Sequence, residues 1–413
     1  MLKGPIALDT IRTSFVLGMR LLIQAGTLLL VARMLGPEEF GFFSGVAALA
    51  LLFGTLSTFG TNLVFFEDVS RRGGRRDEVL SYAIPVVFIC GVFLSGVFIL
   101  IASWLAVDTE VSLFVLIAIG VTEVLLQPFF GLMATEHHAL GRIARSQLLS
   151  LAPMILLFVA ASCIFLFGFS PALSYYAMGY VVASSLALAL GAYHLPKHWP
   201  AWRSWRLPKR MEWRKSFGYA SINISKAGST ELDKTLALKL LPLEAAGVYA
   251  AGTRVVTAIT LPVTAMTLSA LPRLFRESRT QQKSTQHLLQ WMYGAGLAYS
   301  LCLAGALWLA APVLSVLFGD GYQSVQEVVR WLCLAIPGIA LRQIAGNVLM
   351  AMGRPWSRVG FEMVGLLVLA VSSIAFTRHA GLVGMSLALV CSEFTMASIG
   401  AIFVIKNKVK AGK

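Results

Sequence analysis

Long apolar runs separated by short polar breaks dominate the sequence. Most runs reach the roughly 20 residues that a membrane-spanning helix needs. Glycine, proline and charged residues divide the chain into twelve predicted spans: 13–35, 39–66, 79–105, 111–134, 146–168, 172–194, 216–241, 244–271, 285–311, 322–351, 359–377 and 381–404. Because the runs are continuously apolar and do not alternate as barrel strands do, we predict an all-α polytopic membrane protein with about 12 transmembrane helices.

Composition agrees with this pattern. Of the 413 residues, 57% are hydrophobic and only 13% are charged, whereas a soluble domain carries roughly 25% charged residues. These values exclude an ordinary soluble domain, a disordered chain and a nucleic-acid-binding protein. All five cysteines lie within apolar runs, which favours packing over disulfide or metal chemistry. We expect the first apolar run to remain in the membrane as a span rather than to be removed as a signal peptide.

The distribution of basic residues predicts the orientation in the membrane. Of the 34 lysines and arginines, 25 fall on one side of the predicted topology, and Arg378 is the only one in a loop on the other side. Cytoplasmic loops carry such an excess, so we predict that both termini are cytoplasmic. The net charge of +14 is mostly this asymmetry and does not require an acidic partner.

One cytoplasmic segment, residues 196–215 and called the linker below, mixes seven basic residues with four tryptophans: Trp199, Trp202, Trp205 and Trp213. Tryptophan favours the headgroup level, and basic side chains favour anionic lipid, so we expect this segment to lie along the inner leaflet. It divides the chain into a predicted N-terminal lobe, residues 1–195, and a predicted C-terminal lobe, residues 216–413.

The two halves are related by an internal repeat. Sliding the second half over the first by 206 positions aligns Arg20 with Lys226, Gly41 with Gly247 and other pairs: Gln24 with Thr230, Arg33 with Lys239, Leu35 with Leu241, Glu38 with Glu244, and Phe43 with Tyr249. With six spans in each half, both halves enter the membrane from the same side, as in transporters built from parallel repeats. We therefore expect two six-helix lobes around a central cavity.

Particular stretches resemble a known family. They are Arg33–Ala50 (RMLGPEEFGFFSGVAALA), its repeat Leu241–Val255 (LPLEAAGVYAAGTRV), and Ala351–Arg354 (AMGR). These resemble the polysaccharide repeat-unit flippases, of O-antigen type, in the multidrug/oligosaccharidyl-lipid/polysaccharide exporter superfamily. The LGPEEFG segment itself is explained by a helix end followed by a helix start, and serves as a family marker rather than a site.

The resemblance implies a flippase that moves undecaprenyl-pyrophosphate-linked oligosaccharides from the cytoplasmic to the periplasmic leaflet of the bacterial inner membrane. Lipid II flippases of the superfamily usually have fourteen spans, so twelve favours O-antigen, capsule or exopolysaccharide units. The expected partners are the lipid-linked oligosaccharide, membrane lipids and a polysaccharide polymerase, but not nucleic acid. We expect no metal or other cofactor.

Two spans carry polar residues at helical spacing, which places them along one face. The seventh span contains Asn223, Lys226, Thr230 and Asp233, with Lys234 at the edge of that face. The first span repeats the pattern with Arg20, Gln24 and Thr27. Charged groups within a membrane are costly and tend to face a cavity or a partner.

The functional interpretation of these stripes is a cationic lining for a pyrophosphate or an acidic sugar, with Arg20 and Lys226 as leading candidates. The alternative is internal ion pairing of Lys226 or Lys234 with Asp233, Glu231 or Glu123. Arg254 and Arg342 are further candidates for the cavity wall. A threonine stripe in the eighth span is compatible with sugar contact and equally with helix–helix packing: Thr253, Thr257, Thr260, Thr264 and Thr267.

Glu123, near the middle of the fourth span, is the best-placed acidic residue for a coupling ion, although a buried salt bridge explains it as well. A cation-coupled multidrug exporter of the same superfamily is the alternative function. Such exporters are expected to carry acidic residues in the first helix, whereas this helix has no acid after Asp9. An enzyme is not expected, because the longest outer connection, near Gly319–Gln323, is too short for a catalytic surface.

Overall fold

The computed structural model describes residues 5–72, 75–107, 109, 111–263, 266–267 and 282–411. The helices among these residues are α1 (Pro5–Ser57), α2 (Thr61–Arg72), α3 (Arg76–Leu105), α4 (Leu113–Gly120), α5 (Gln127–Ala139), α6 (Ile143–Phe167), α7 (Ala172–Tyr193), α8 (Arg210–Leu240), α9 (Leu243–Ile259), α10 (Gln282–Phe318), α11 (Val325–Cys333), α12 (Ala335–Ala351) and α13 (Pro355–Ala411). A π-helical turn, Val121–Leu126, joins α4 to α5, and a 3₁₀ turn, Trp202–Ser204, lies in the linker. No β-strand occurs in these ranges.

The two longest helices are each broken once at a glycine. Gly36 (φ 68°, ψ 172°) interrupts α1, and Gly381 (φ 51°, ψ −125°) interrupts α13. Positive φ is readily available only to glycine, so both positions end one helical arm. Pro37 then starts the second arm of α1, where its fixed φ suits the first helical turn and its missing N–H costs nothing. Each of these helices therefore contains two predicted spans.

The number of membrane spans agrees with the sequence. Eight helices within the described ranges are long and apolar enough to cross a membrane, or nine when α11 and α12 count as one span bent by 45°. The breaks in α1 and α13 each divide one long helix into two arms, and the more polar helix α8 corresponds to the predicted seventh span. Within the described ranges, the predicted all-α architecture with about 12 transmembrane helices is confirmed. The end of the eighth span, residues 268–271, and Thr264 lie outside the described residues.

The helices form two compact units. Unit 1 comprises Met1–Leu35 and Val46–Ala227. In this unit α6 packs along α7, and α2 packs against α3 and α5. One apolar cluster includes Phe65, Leu80, Ile84 and Leu132, with the ring of Trp199 from the linker packed against it.

Unit 2 comprises Gly36–Gly45 and Gly228–Lys413. Its most extensive helix contact joins α12 to α13. The cluster at this contact includes Met292, Ile344, Val348, Phe361 and Met396. These side chains come from α10, α12 and both arms of α13, so the last four predicted spans share a core.

The division into units does not follow the linker. Residues 36–45 group with the second half of the chain, and α8 is shared, because its residues to Ala227 belong to unit 1 and those from Gly228 to unit 2. The sequence drew attention to the linker because that segment interrupts the apolar pattern. Within residues 36–45, Gly41 packs closely against Gly247 and Gly45 against Leu238, and hydropathy does not register such contacts.

The outer surface of the helices is apolar. On α3, for example, Phe93 is 69% exposed and Leu100 is 73% exposed. Patches of this kind are rare on soluble monomers but are required where a helix faces lipid tails. The described helices are therefore those of a multi-pass membrane protein.

Candidate functional site

Arg20 is a predicted binding residue whose charge is uncompensated among the described residues. Its side chain is half-buried on the first arm of α1 and forms no ion pair or hydrogen bond with any residue that the structure describes. One turn further on, Gln24 is exposed, and the hydroxyl of Thr27 donates to the carbonyl oxygen of Ile23 at 2.7 Å. An unpaired guanidinium within a membrane span is costly, and an anionic ligand would offset that cost.

Helix α8 supplies two further predicted residues to unit 1. The side chain of Lys226 is exposed. Asn223 is half-buried, and its Nδ2 lies 3.5 Å from Asn62 Oδ1 at the start of α2. Near the beginning of α8, Lys215 forms ion pairs with Glu67 (3.0 Å) and Asp68 (2.6 Å). These contacts fix the first half of α8 to α2 and leave Lys226 on an accessible part of the helix.

Glu123 lies in the π-helical turn between α4 and α5. Its carboxylate accepts a hydrogen bond from the hydroxyl of Tyr180 on α7. The second arm of α1 approaches the same turn so closely that a Cβ on Gly54 would collide with the carbonyl oxygen of Glu123. A π-helical turn widens the helix locally and is frequent at functional positions. The sequence identified the carboxylate but neither the turn nor its tyrosine partner.

In unit 2, Asp233 and Lys234 are buried and paired. Lys234 Nζ lies 3.4 Å from Asp233 Oδ1 and 3.3 Å from Glu231 Oε2, and it also donates to the carbonyl oxygen of Thr230. The hydroxyl of Tyr249 on α9 donates to Asp233 Oδ2 at 3.1 Å. For these residues the structure matches the alternative left open by the sequence, which is internal ion pairing. Thr230 itself is half-buried beside them.

Arg342 on α12 also forms a buried ion pair. Its Nε lies 2.6 Å from Glu393 Oε2 on the second arm of α13, with Arg342 4% exposed and Glu393 1% exposed. Nearby, Arg358 Nε lies 2.9 Å from Glu362 Oε1. Charges buried in this way persist because each is neutralised by a hydrogen-bonded partner. The charge of Arg342 is therefore neutralised by a partner within unit 2.

Arg254 on α9 differs from these paired residues. Its side chain is half-buried, and its Nε has no hydrogen-bond partner among the described atoms. The threonines of the same helix bond to the backbone of their own helix: Thr253 to Ala250, Thr257 to Thr253, and Thr260 to Thr257. Such bonds satisfy the hydroxyls locally, as polar residues at helix contacts often do.

Glu327 and Arg330 stand three residues apart on α11, a spacing that predicts a local ion pair. This expectation is wrong for the described side chains. The guanidinium of Arg330 instead lies 5.0 Å from the ring centroid of Trp308 on α10. A cation over an aromatic face is a favourable alternative to a carboxylate contact. The choice depends on the approach of α10 to α11, which residue spacing alone does not reveal.

The linker is bound to unit 1 by a buried charge at the start of α3. The guanidinium of Arg76 lies 2.6 Å from Glu136 and donates to the carbonyl oxygens of Lys197 (2.7 Å) and His198 (3.4 Å). Glu136 also accepts from Trp199 Nε1 at 2.9 Å. Sequence reasoning missed this arrangement, because Arg76 and Glu136 were assigned to separate cytoplasmic loops with no indication that they meet.

A second contact holds the far end of the linker. Arg206 forms two 2.7 Å hydrogen bonds with Glu212 and lies 4.9 Å from the ring centroid of Tyr82. The Arg206 guanidinium holds the pKa of Glu212 below its usual range. The backbone N–H of Arg206 also donates to the carbonyl oxygen of Ser81 at 3.0 Å. The linker is therefore an ordered part of unit 1.

The predicted site residues are divided between the units. Unit 1 contains Arg20, Gln24, Glu123, Asn223 and Lys226, and unit 2 contains Thr230, Asp233, Lys234, Arg254 and Arg342. Within unit 2 the structure brings Thr230, Asp233 and Lys234 together. The sequence did not single out Tyr180 or Tyr249, since a tyrosine in an apolar run is usually a packing residue.

This helical architecture is shared with solved transporter structures. The chain resembles a multidrug resistance MATE family transporter of the MOP superfamily in an inward-facing conformation, with a TM-score of 0.74, 14% identity and coverage of 95% of each chain. It resembles the lipid II flippase MurJ in an inward closed conformation equally well, with a TM-score of 0.74, 12% identity and coverage of 98% of this chain and 89% of that one. The fold is that of MOP-superfamily transporters.

A third similar structure is a MOP-superfamily transporter from Pyrococcus furiosus, described as having a binding pocket of reverse polarity (TM-score 0.71, 14% identity, coverage of 98% and 95%). No curated protein sequence matches the chain significantly. The family described as "Polysaccharide biosynthesis protein" matches residues 9–278, and the chain belongs to this family. The predicted resemblance is confirmed.

Proposed function

We propose that the protein is a flippase for lipid-linked glycans. It moves undecaprenyl-pyrophosphate-linked oligosaccharide repeat units from the cytoplasmic to the periplasmic leaflet of the bacterial inner membrane by alternating access. Membership of a polysaccharide biosynthesis family supports a glycan cargo. The MOP-superfamily fold supports transport rather than synthesis.

The observation that carries the proposal is the state of Arg20. A cation within a membrane span is costly, up to about 2.5 to 3.5 kcal/mol at the bilayer centre on insertion scales, and an anionic ligand would offset this cost. A pyrophosphate offers several charged oxygens, and a guanidinium can bind two of them at once. We assign Arg20 to the charged portion of the cargo, together with the exposed Lys226.

The remaining predicted residues take lesser roles in this proposal. Gln24, Asn223 and Thr230 offer neutral hydrogen-bonding groups to sugar hydroxyls, and Arg254 offers an unsatisfied Nε. Asp233, Lys234 and Arg342 are compensated within unit 2, so any contact they make with the cargo requires exchange of an existing ion pair. We rank these three below Arg20 and Lys226.

Energy for export has a simple source in this scheme. Each negative charge carried outward across an inside-negative membrane gains about 2.3 kcal/mol per 100 mV. A cargo bearing a pyrophosphate therefore draws on the membrane potential directly. A coupled ion would add to this, and Glu123 in its π-helical turn is our candidate for binding it.

The test is complementation of a strain lacking the gene. Arg20→Ala and Lys226→Ala should each abolish surface polysaccharide and cause lipid-linked repeat units to accumulate, with protein abundance unchanged. Arg20→Lys should retain partial output because it keeps the charge. Lys239→Ala is the matched control, because Lys239 is an exposed lysine near the other end of the same helix. Full polysaccharide output from an Arg20→Ala/Lys226→Ala double variant would refute the assignment.

The multidrug exporter alternative is favoured by the similarity to a MATE family transporter. It predicts that deleting the gene lowers resistance to cationic drugs and leaves surface polysaccharide intact. If the protein is a flippase, deleting the gene should remove surface polysaccharide and leave resistance to cationic drugs unchanged. Against the exporter stands the sign of the charge on α1, where Arg20 rather than a carboxylate occupies the span.

A further inference from the structure

The linker has two chemically different faces. The side toward unit 1 is occupied by the hydrogen bonds of Arg76 and Arg206 and by the packed ring of Trp199. The opposite side carries large apolar groups, with Trp202 72% exposed and Met211 76% exposed, joined by Leu207 and the less exposed Trp205. A segment held this firmly by one face presents the other face in a fixed orientation.

The exposed face is also strongly basic. Arg203, Lys209, Arg210 and Arg214 are exposed, and none forms an ion pair with a residue that the structure describes. The guanidinium of Arg203 lies 5.6 Å from the ring centroid of Trp202, so charged and aromatic groups alternate on this surface. The linker contains one acidic residue, Glu212, and its carboxylate is already paired with Arg206.

The position of the linker between two membrane helices indicates which partner contacts the exposed face. The linker follows the membrane span α7 directly and leads into α8, so it lies at the level where two spans leave the bilayer. At that depth a mixture of exposed tryptophan, leucine and methionine with arginine and lysine matches the lipid headgroup region. A surface built only for water would not expose Trp202, Leu207 and Met211 together.

We infer that the outer face of the linker is a binding surface for anionic phospholipid headgroups. Trp202, Trp205 and Leu207 enter the boundary between headgroups and acyl chains, while Arg203, Lys209, Arg210 and Arg214 pair with lipid phosphates. Unit 1 is thereby fixed to the leaflet surface at its cytoplasmic end through the Arg76–Glu136 pair. This inference concerns the resident lipids and does not depend on the identity of the cargo.

The experiment uses the full-length protein in lipid nanodiscs containing phosphatidylcholine and phosphatidylglycerol. Bromine atoms that quench tryptophan are placed on the acyl chains of one lipid at a time. The linker contribution is the difference between the wild type and a Trp202→Phe/Trp205→Phe variant, which removes the two tryptophans on the outer face. We expect this contribution to be quenched by both lipids and more strongly by brominated phosphatidylglycerol.

Charge removal separates the two parts of the inference. Each basic residue near an anionic surface contributes about fivefold in affinity, so an Arg203→Gln/Lys209→Gln/Arg210→Gln/Arg214→Gln variant should lose the preference for phosphatidylglycerol and keep its quenching by phosphatidylcholine. The control is Arg142→Gln/Arg145→Gln, which removes two exposed arginines before and in α6 and should leave the preference unchanged.

Two outcomes would overturn the inference. Absence of quenching of Trp202 and Trp205 by either lipid would place the face away from the membrane, as expected if an acidic protein occupied it. Equal quenching by both lipids in the wild type would show that the basic residues are solvated and do not bind anionic lipid. A loss of transport activity in these variants would not by itself support or contradict lipid binding, so the quenching ratio is the deciding measurement.

Discussion

Gly41 and Gly247, which the 206-residue repeat aligns, pack directly against each other. A Cβ on Gly41 would lie 2.6 Å from the backbone nitrogen of Gly247 and would collide with the carbonyl oxygen of Leu243. A Cβ on Gly247 would lie 3.1 Å from the backbone nitrogen of Gly41 and would collide with the carbonyl oxygen of Pro37. The repeat also aligns Pro37 with Leu243. The contact of Gly41 with Leu243 therefore corresponds to the contact of Gly247 with Pro37.

Two helix starts that are related by a local two-fold axis make matching contacts of this kind. The backbones approach closely only because neither position carries a side chain, as in other membrane helix contacts built from small residues. Phe40, one position before Gly41, packs edge-on against Tyr322 at 6.5 Å between ring centroids and adds an aromatic contact within unit 2. The repeat found in the sequence therefore has a physical counterpart in unit 2.

Substitution of Gly41 should be severely destabilising. In Gly41→Ala the new methyl group meets backbone atoms, which cannot rotate away, so we expect a loss of about 3 kcal/mol of unfolding free energy. Thermal unfolding of the purified protein in detergent measures the effect. Gly294→Ala is the control, because Gly294 is a helical glycine of unit 2 at which an added Cβ would meet nothing within 4 Å. The prediction fails if both variants unfold at the wild-type temperature.

The sequence predicted the helices well because their determinants are local. Apolar length located the spans, and the pair Gly36–Pro37 located the break in α1 before the structure confirmed it. The repeat also aligned Gly41 with Gly247. It did not predict that the two glycines touch, because the crossing of two helices depends on packing throughout unit 2.

The Arg342–Glu393 pair offers a test that separates stability from cargo binding. Removing one partner of a buried ion pair leaves an uncompensated charge and typically costs about 3–5 kcal/mol, whereas replacing both by apolar residues is often neutral. We expect Glu393→Ala to lower the unfolding temperature strongly and Arg342→Met/Glu393→Leu to restore most of it.

Polysaccharide output of the stable double variant then assigns the role of Arg342. Near-normal output would show that the pair only holds α12 against α13. Absent output from a stable, abundant double variant would show that the charge itself is needed by the cargo. We expect near-normal output, because the guanidinium is already neutralised at 2.6 Å. An equally unstable double variant would contradict the ion-pair account.

The linker should detach from unit 1 when the buried carboxylate of Glu136 is removed. Glu136→Ala leaves the guanidinium of Arg76 without its buried partner and leaves Trp199 Nε1 without an acceptor. Because a cost of about 1.4 kcal/mol already corresponds to a tenfold change in an equilibrium, we expect trypsin to cleave after Lys197 and Arg203 at least about tenfold faster. Mass spectrometry of the fragments identifies the sites.

A matched variant makes this result specific. Glu78→Ala removes an exposed carboxylate that pairs with Arg75 at 3.4 Å near the same end of α3. An exposed pair contributes little, so linker cleavage should stay at the wild-type rate. If Glu78→Ala and Glu136→Ala accelerate cleavage equally, the linker is not held by the buried pair.

The candidate site was less predictable than the fold, and Asp233 illustrates the reason. Asp233 lies on α8, but its charge is shared with Lys234 and its second oxygen is bound by Tyr249. The repeat mates of Asp233 and Tyr249 are Thr27 and Phe43, which lack the charge and the hydroxyl. The two halves therefore diverged in side-chain chemistry while keeping their helices, and spacing reveals only the helices.

Glu123 provides the last prediction, which concerns ion coupling. Gln at this position keeps an oxygen that accepts from Tyr180 but can neither bind nor release a proton. If Glu123 binds a coupling proton, Glu123→Gln should fold to wild-type abundance, retain basal flipping of lipid-linked cargo in proteoliposomes, and lose any stimulation by an imposed pH gradient. Tyr180→Phe removes the hydrogen bond and keeps the carboxylate, so it should shift the pH at which stimulation occurs without abolishing it. Stimulation of the Glu123→Gln variant equal to that of the wild type would leave the carboxylate with a purely structural role against Tyr180, and the coupling proton would then bind at another group.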